Sequence, residues 1–455
     1  MHGRTSQSPP ATTAGSPGCR SGSGSGANSN SSSSPGVDPV SGEITPWMQE
    51  ILLVTMVANR HRYNFYLHPS VLESPPQPLL NAMNLVACHI LTNSAGPNTR
   101  PSSHDLDTLK PLLLSKVYSG IHVSLENARD LLAGAVCAPA LAAQYLLEVG
   151  RFAEAQWLAS NAIRFAVSSG IHTIATHRPP LAGTPEPVQN TGSPSPVLGS
   201  PSPSFLVPPR NAQEHHDRLM TWWLAYIADG LVEVVAGLPS ALRAEILVCL
   251  GDMEAYLGGA TGIPAIFPLP EIMYESASSQ ADVQSINISQ LLQGTMPQGV
   301  NCGSGFSASL KAFTFYHAAV LIDDCHRTGR PIDEDTPSKI YANILAFVER
   351  ARNHVNHAGV ASACILAHTA TIRLYGTTFL VEEQRRRAEA ASAIARLSSN
   401  LNREEMHAQT QLLERCCSEA LEFLRSGAPG TEAASAHEFQ TLFSLLEQLR
   451  GNGFN

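Results

Sequence analysis

Residues 214–238 read EHHDRLMTWWLAYIADGLVEVVAGL, and this stretch decides the fold. Its large apolar side chains recur every three or four residues, which is the spacing of one face of an α-helix. They are Leu219, Trp222, Trp223, Tyr226, Ile227, Leu231, Val234 and Val235, with Gly230 on the same stripe. The polar residues that fall mostly off the stripe are Asp217, Arg218, Thr221 and Asp229. Gly237 followed by Pro239 predicts the end of the helix.

The adjacent indoles of Trp222 and Trp223 are predicted to point inward and to hold a bundle of helices together. Core packing is the preferred interpretation of the stripe, because large apolar side chains are usually buried. Replacing either tryptophan by Ala would then cost about 3–5 kcal/mol of stability.

Composition and charge narrow the classes of function. The chain has 455 residues, 43% of them hydrophobic and 15% charged, and a formal net charge of -9. A chain with this net charge carries no electrostatic field that attracts nucleic acid, so we expect it not to bind DNA on its own. No apolar run has the form of a signal peptide or the length of a membrane span, which predicts a soluble protein.

The cysteines give no sign of a metal cage. They stand at positions 19, 88, 137, 249, 302, 325, 364, 416 and 417, and no C-x-x-C pair occurs. We therefore expect reduced thiols, several of them in the core, rather than a zinc site or a disulfide framework.

The rest of the chain is predicted to be one large helical domain with low-complexity segments. Residues 1–43 form a Ser/Gly/Pro-rich tail that we expect to be disordered, and residues 44–450 form the domain. Long insertions of the same kind are predicted at 176–211 and 262–305. Because strand alternation is nearly absent, the fold class is all-α, a multi-helix bundle.

Local signals place several helices in that domain. Thr45 is the expected N-cap of the first helix, with Pro46 at its first position. One face of this helix is expected to carry Leu52, Leu53, Met56 and Val57. Pro139 either kinks a long helix or opens a new one at Ala140. After Gly150, small residues on one stripe predict close helix packing; the stripe is Ala155, Leu158, Ala159, Ala162, Ile163 and Ala166.

Several quoted stretches carry a family resemblance. Residues 144–172, QYLLEVGRFAEAQWLASNAIRFAVSSGIH, combine a leucine-rich helix, a Gly-Arg turn and an alanine-rich helix ending in Gly-Ile-His. Residues 218–239 carry Arg-x-x-x-Trp-Trp, then Asp, then Gly-x-Pro. Weaker matches are CILAHTATIRLY at 364–375 and, near the start, HRYNFYLHPSVL followed by PPQPLLNAMNLVACH.

Together these stretches resemble the fungal-specific transcription factor domain, the middle homology region of the Zn(II)2Cys6 zinc-cluster regulators. The resemblance would cover roughly residues 44–425. Its signature positions are Gly150, Arg151, Gly170, His172, Arg218, Trp222, Trp223, Tyr226, Ile227, Asp229, Gly237 and Pro239. This chain departs from the pattern where Gly230 and Leu238 replace arginines of the family.

The resemblance implies a nuclear transcription regulator with RNA polymerase II-type DNA-binding activity. It implies no catalytic residues, and its partners would be the transcriptional machinery or regulatory proteins. It also leaves room for a small-molecule inducer and a homodimer. The family's six-cysteine zinc cluster is not found in this sequence. The chain is then either an incomplete or alternatively started product or a regulator that no longer touches DNA directly. We expect it to bind neither zinc nor duplex DNA by itself.

Three polar clusters are candidate sites. His354 and His357 have the spacing of a metal-binding pair but no convincing third ligand, so we expect no metal there. Asp323 and Asp324, beside Cys325 and His326, could serve acid/base chemistry. A solvated helix end is the preferred interpretation of these four residues. Residues 385–387, three consecutive arginines, form either a weak nuclear import signal or, in the preferred interpretation, an exposed helix face.

Two other classes of function remain open. A helical-repeat scaffold is suggested by Tyr145, Gly150, Ala155 and Ala162, which echo a single tetratricopeptide unit, although such scaffolds need at least three repeats. A sensor or enzyme with a pocket beneath the tryptophan-rich helix is the third class. No motif assigns a reaction, so we expect no enzymatic activity.

Overall fold

A computed structural model describes residues 44–94, 103–126, 131–174, 206–251, 263–268, 286–294, 305–354, 359–377, 380–401, 406, 409–426 and 436–452. Within these ranges the chain is all-α, which confirms the predicted class, and an isolated bridge pairs Ile266 with Asn287. The predicted tail at 1–43 lies outside the described residues, as do 176–205 of the first predicted insertion.

Fifteen α-helices fall within the described ranges. They are α1 (Pro46–Ala58), α2 (Pro69–Glu73), α3 (Gln77–Ser94), α4 (Ser103–Glu126), α5 (Ala138–Glu148), α6 (Phe152–Ser168), α7 (Ala212–Ala236), α8 (Arg243–Cys249), α9 (Ile288–Leu292), α10 (Gly305–Thr328), α11 (Thr336–Ala351), α12 (Val360–Leu374), α13 (Val381–Ser398), α14 (Thr410–Arg425) and α15 (Ala436–Asn452).

Helix α7 lies between the helices that precede it in the chain, called the N-terminal half here, and those that follow it, called the C-terminal half. It packs against α5 and α6 of the N-terminal half and against α10 and α14 of the C-terminal half. The side chains of Trp222 and Trp223 are fully buried, as predicted. The Asn211 side chain caps the helix by accepting a hydrogen bond from the Glu214 amide, and Gly237, with φ of +67°, ends it.

The burial of α7 extends beyond the predicted stripe. Thr221 and Asp229, which were expected on the polar side, are buried as well. Helices pack on α7 from both sides, so its buried surface is wider than the single apolar face that the sequence predicted. By length and composition α7 could also cross a membrane, although 83% of its most apolar window is buried inside the protein.

The N-terminal half follows the predicted local signals closely. The Thr45 side chain accepts a hydrogen bond from the Met48 amide and Pro46 opens α1. The inner face of α1 differs from the prediction, because Met48, Leu52 and Met56 are fully buried whereas Val57 is exposed. All six residues of the predicted stripe on α6 are fully buried.

Neither alternative for Pro139 describes the backbone fully. A π-helical turn, Ala133–Cys137, runs directly into α5, and Pro139 lies in the first turn of that helix. Gly150, with φ of +75°, ends α5 in a Schellman motif, in which the Arg151 amide donates to the Leu146 carbonyl at 2.8 Å.

Two pieces of the predicted insertion at 262–305 belong to the core. Within residues 263–268 and 286–294 the side chains of Ile263, Ile266, Phe267 and Ile288 are buried, and the Phe267 amide donates to the Ile286 carbonyl at 2.9 Å. A stretch without helical periodicity therefore contributes side chains to the core in this protein.

In the C-terminal half, α12 packs against α10, α11, α13 and α14. Contacts also join helices that are far apart in the chain: α14 reaches α7, and the Gln411 side-chain amide donates to the Leu147 carbonyl at 2.8 Å. In a solenoid each repeat contacts only its neighbours. The long-range contacts are therefore unlike those of a repeat scaffold.

Candidate functional site

The aromatic centre of α7 ties several segments together. The Trp223 indole N–H donates to the Ile266 carbonyl at 2.9 Å, and its ring stacks on Phe267 with centroids 4.9 Å apart. The hydroxyls of Tyr226 and Thr314 are 3.0 Å apart, which links α7 to α10. The ring of His172 lies 6.0 Å from that of Trp222. Four residues of the resemblance thus meet in one core cluster.

Asp229 holds the turn that follows α7. The Ser240 hydroxyl donates to its carboxylate at 2.5 Å, and the Ala241 amide donates at 3.1 Å. Burial raises the pKa of Asp229 to about 6, although these donors favour its ionised form. Hydrogen bonds therefore join the signature's Asp to the two residues that follow its Gly-x-Pro.

Gly230 leaves room for a residue of α10. A Cβ at this position would lie 3.0 Å from both the His317 Nε2 atom and the Phe313 ring. An arginine, which the resemblance leads one to expect there, would overlap these side chains. The departure at Gly230 is thus matched by His317, a residue that sequence reasoning did not single out.

His317 faces the carboxyl group of Glu233. The Nε2 and Oε2 atoms lie 3.3 Å apart, and both side chains are buried. Burial, and then the Asp229 carboxylate, raise the pKa of Glu233 to about 8, while burial lowers the pKa of His317 to about 3. Near pH 7 the pair is therefore neutral. Because both groups are sealed from solvent, the arrangement suits packing better than catalysis, which needs access to substrate.

A second polar node brings the opening stretches of the resemblance together. The Glu148 carboxylate lies 3.2 Å from the Arg62 guanidinium, accepts a hydrogen bond from the Tyr63 hydroxyl at 2.8 Å and lies 2.9 Å from His89 Nε2. Burial opposes the ionisation of Glu148, yet the bond to His89 and the charge of Arg62 lower its pKa overall.

Sequence reasoning missed this node. Glu148 is the sole acidic residue of the apolar run 144–150. A carboxylate in such a run is expected to be buried and therefore to need a partner, and this is the one sign of the node in the sequence. Its partners come from α3 and from the turn after α1, and the sequence did not indicate which would reach it.

The other signature residues take local roles. Arg218 pairs with Glu214 at 2.7 Å, and Arg151 pairs with Glu154 at 2.6 Å. Gly170 has φ of +80° and ends α6, while Ile227 is fully buried. The two ion pairs lie within a helix or at its start, Gly170 ends one, and Ile227 belongs to the core.

The predicted solvated helix end at 323–326 needs correction. The residues do end α10, but Asp323 and Cys325 are buried, and Asp323 pairs with Arg327. The backbone of Gly376 comes close to Asp323, since a Cβ there would lie 2.9 Å from its Oδ1 atom. Packing of α12 against α10 encloses the carboxylate that the helix position alone would leave in water.

The arginine run at 385–387 is an exposed face only at Arg385, which pairs with Glu382 and Glu389. Arg386 is half-buried over the Tyr341 ring, 4.6 Å from its centre, and Arg387 lies 4.4 Å over Phe423. Neighbouring helices supply these rings, so the run is part of the folded surface.

No metal centre appears among the described residues: no group of three or more His, Cys, Asp or Glu side chains could hold an ion. His354 lies in a short 3-10 turn, and His357 lies outside the described residues. The described cysteines are buried and form no disulfide, in agreement with the predicted thiols; Cys19 and Cys302 are not described.

A cavity of about 380 Å³ lies away from α7, between the end of α13 and α15. Its walls include Ser398, Leu401, His437, Thr441 and Ser444. Beneath the tryptophan-rich helix, where the third class of function would need a pocket, Phe267 stacks on Trp223, and Phe313 and His317 lie close to Gly230.

No protein-family model, curated protein or solved structure matches this chain.

Proposed function

We propose that this chain is the regulatory helical domain of a fungal zinc-cluster type transcription regulator. It acts in the nucleus, where it passes signals from partner proteins or an inducer to the transcriptional machinery. The zinc and the direct DNA contact belong to the cluster module of the family, and no residue of this domain acts as a catalyst.

The observation that carries the proposal is the way the separated stretches of the resemblance meet. Arg62, Tyr63, His89 and Glu148 come from three of them and form one polar node. His172, Trp222 and Tyr226 come from two and share the aromatic core. Residues that jointly build one core are expected to recur together in a family, which gives the resemblance a physical basis.

The test is transcription by a tethered chain. Residues 1–455 are fused to an unrelated DNA-binding module and directed to two reporter promoters, one with low basal output and one already active. We expect a change in at least one reporter relative to the module alone. Unchanged output from both promoters, with the fusion shown to be folded and nuclear, would contradict the proposal.

Metal and DNA binding provide a second arm of the test. The purified chain is expected to contain no stoichiometric zinc by elemental analysis. It is also expected not to shift a duplex DNA of random sequence at physiological salt. Stoichiometric zinc or a shift of this duplex would place the DNA-binding function inside this chain, against the proposal.

A further inference from the structure

The cavity between α13 and α15 has polar walls without carboxylate, ammonium or guanidinium groups. Among the described residues that line it there is no Asp, Glu, Lys or Arg, although 15% of the chain is charged. Helix α15 contributes six lining residues, which recur every three or four positions and therefore form one stripe of the helix. They are His437, Gln440, Thr441, Ser444, Leu445 and Gln448.

This stripe differs from an ordinary solvent-facing helix surface, which usually carries charged side chains. The charged residues of α15 are Glu438, Glu447 and Arg450, and they do not line the cavity. Glu438 pairs instead with Arg396 of α13 at 3.2 Å. Arg450 pairs with Glu414 of α14 at 2.7 Å. Helix α15 therefore presents an uncharged polar face to the cavity.

The lining groups can both donate and accept hydrogen bonds, since hydroxyls, side-chain amides and a neutral imidazole have this capacity. Ser398, at the end of α13, is only 4% exposed, and its hydroxyl lies 3.6 Å from the Cys417 sulfur, which is a weak partner. This hydroxyl therefore retains the capacity for a stronger bond to a molecule in the cavity. Leu401, Met406 and Leu445 add an apolar part to the wall.

We propose that this cavity binds an uncharged polyol, such as a sugar of one or two rings. The hydroxyls of the ligand bond to Ser398 and to the polar stripe of α15, and its C–H face packs on Leu401 and Met406. The volume of about 380 Å³ lies in the range of small-molecule sites. A charged ligand would lose its hydration without gaining a counter-charge, so the site favours neutral molecules.

This inference rests on the cavity alone and is separate from the proposed function, so either can fail without the other. No aromatic ring lines the cavity among the described residues, and binding is therefore expected to be weak. A bound ligand touches both α13 and α15, so it should stabilise the packing of these helices against each other.

Saturation-transfer NMR of the full chain tests the site with D-glucose and maltose at about 10 mM, a concentration suited to millimolar affinity. We expect transfer to at least one of the two sugars, and much less to gluconate and glucosamine, which have six carbons as glucose does but carry a charge. Ser444→Trp fills the cavity and should reduce the transfer roughly tenfold. The matched control is Ser119→Trp at an exposed position of α4, which should leave the transfer unchanged. Circular dichroism shows whether each variant is folded.

A charge placed in the wall tests the location. Gln448→Glu should lower the transfer to glucose and raise the transfer to glucosamine, because the new carboxylate attracts its ammonium group. A wild-type chain that gives no transfer to glucose or maltose would overturn the proposal. Equal effects of Ser444→Trp and Ser119→Trp, equal transfer to neutral and charged sugars, or no response to Gln448→Glu would overturn it too.

Discussion

Gly230 shows how one absent side chain sets the packing between two halves. In the middle of a helix Gly is usually less favourable than Ala by about 0.5–1 kcal/mol, so Gly→Ala often stabilises. Here a Cβ would meet His317 and Phe313 at 3.0 Å in a sealed core. The steric conflict outweighs the more favourable helix propensity of Ala, because neighbouring side chains in a packed interior can move only a little.

We therefore expect Gly230→Ala to destabilise the protein by about 1–3 kcal/mol in urea unfolding. The control is the double change Gly230→Ala with His317→Ala, which removes one of the two close contacts of the new methyl group and leaves the one with Phe313. Its loss should be smaller than the sum of the two single losses. If the Gly230→Ala protein were as stable as wild type, the side chains of α10 would not be in tight contact with this position.

Glu233 should make stability fall with rising pH. The pKa of its carboxyl is about 8 in the folded chain and 4.5 in the reference state. Between these values the unfolded chain has lost the proton and the folded chain keeps it, so stability decreases by at most about 1.4 kcal/mol per pH unit and levels off above pH 8.

Comparison with Glu233→Gln isolates this effect. The variant retains a neutral side chain of similar size, while His317 and Asp229 titrate in both proteins. Urea unfolding at pH 5.0, 6.5 and 8.0 should show wild type losing stability relative to the variant as pH rises. A constant difference across this range would mean that Glu233 is ionised in the folded state.

Among the elements, the end of α5 depends on the backbone of Gly150. Its φ of +75° is left-handed, and no atom lies within 4 Å of where a Cβ would stand. Gly150→Ala should cost about 1–2 kcal/mol from backbone strain alone. Gly150→Asn should cost less, because Asn tolerates this conformation. Equal losses for both variants in thermal or urea unfolding would point to a steric cause instead.

Local signals predicted the elements well and their partners poorly. The Thr45 cap, the stripe on α6 and the buried tryptophans follow from residues close together in the chain, and the structure confirms each of them. The burial of Asp323, and the rings beneath Arg386 and Arg387, depend on helices that arrive from elsewhere. No periodicity within one helix carries that information.

On the scale of the whole molecule, α7 holds two helical halves together by contacts on opposite sides. Trp222 and Trp223 lie at the centre of those contacts and should unfold only when both halves do. Replacing Trp222 by Ala is expected to cost about 3–5 kcal/mol, whereas Trp157→Ala, at an exposed position, should cost much less. Similar losses in chemical unfolding would contradict the central position of α7.

The most direct measurement uses the four tryptophans of the chain. Changing Trp47 and Trp157 to Phe leaves fluorescence that reports on Trp222 and Trp223 alone. Its unfolding curve in urea should coincide with the loss of helix measured by far-ultraviolet circular dichroism, as a single cooperative transition. If fluorescence changed while much of the helix signal remained, or lagged behind its loss, α7 would not join the two halves into one body.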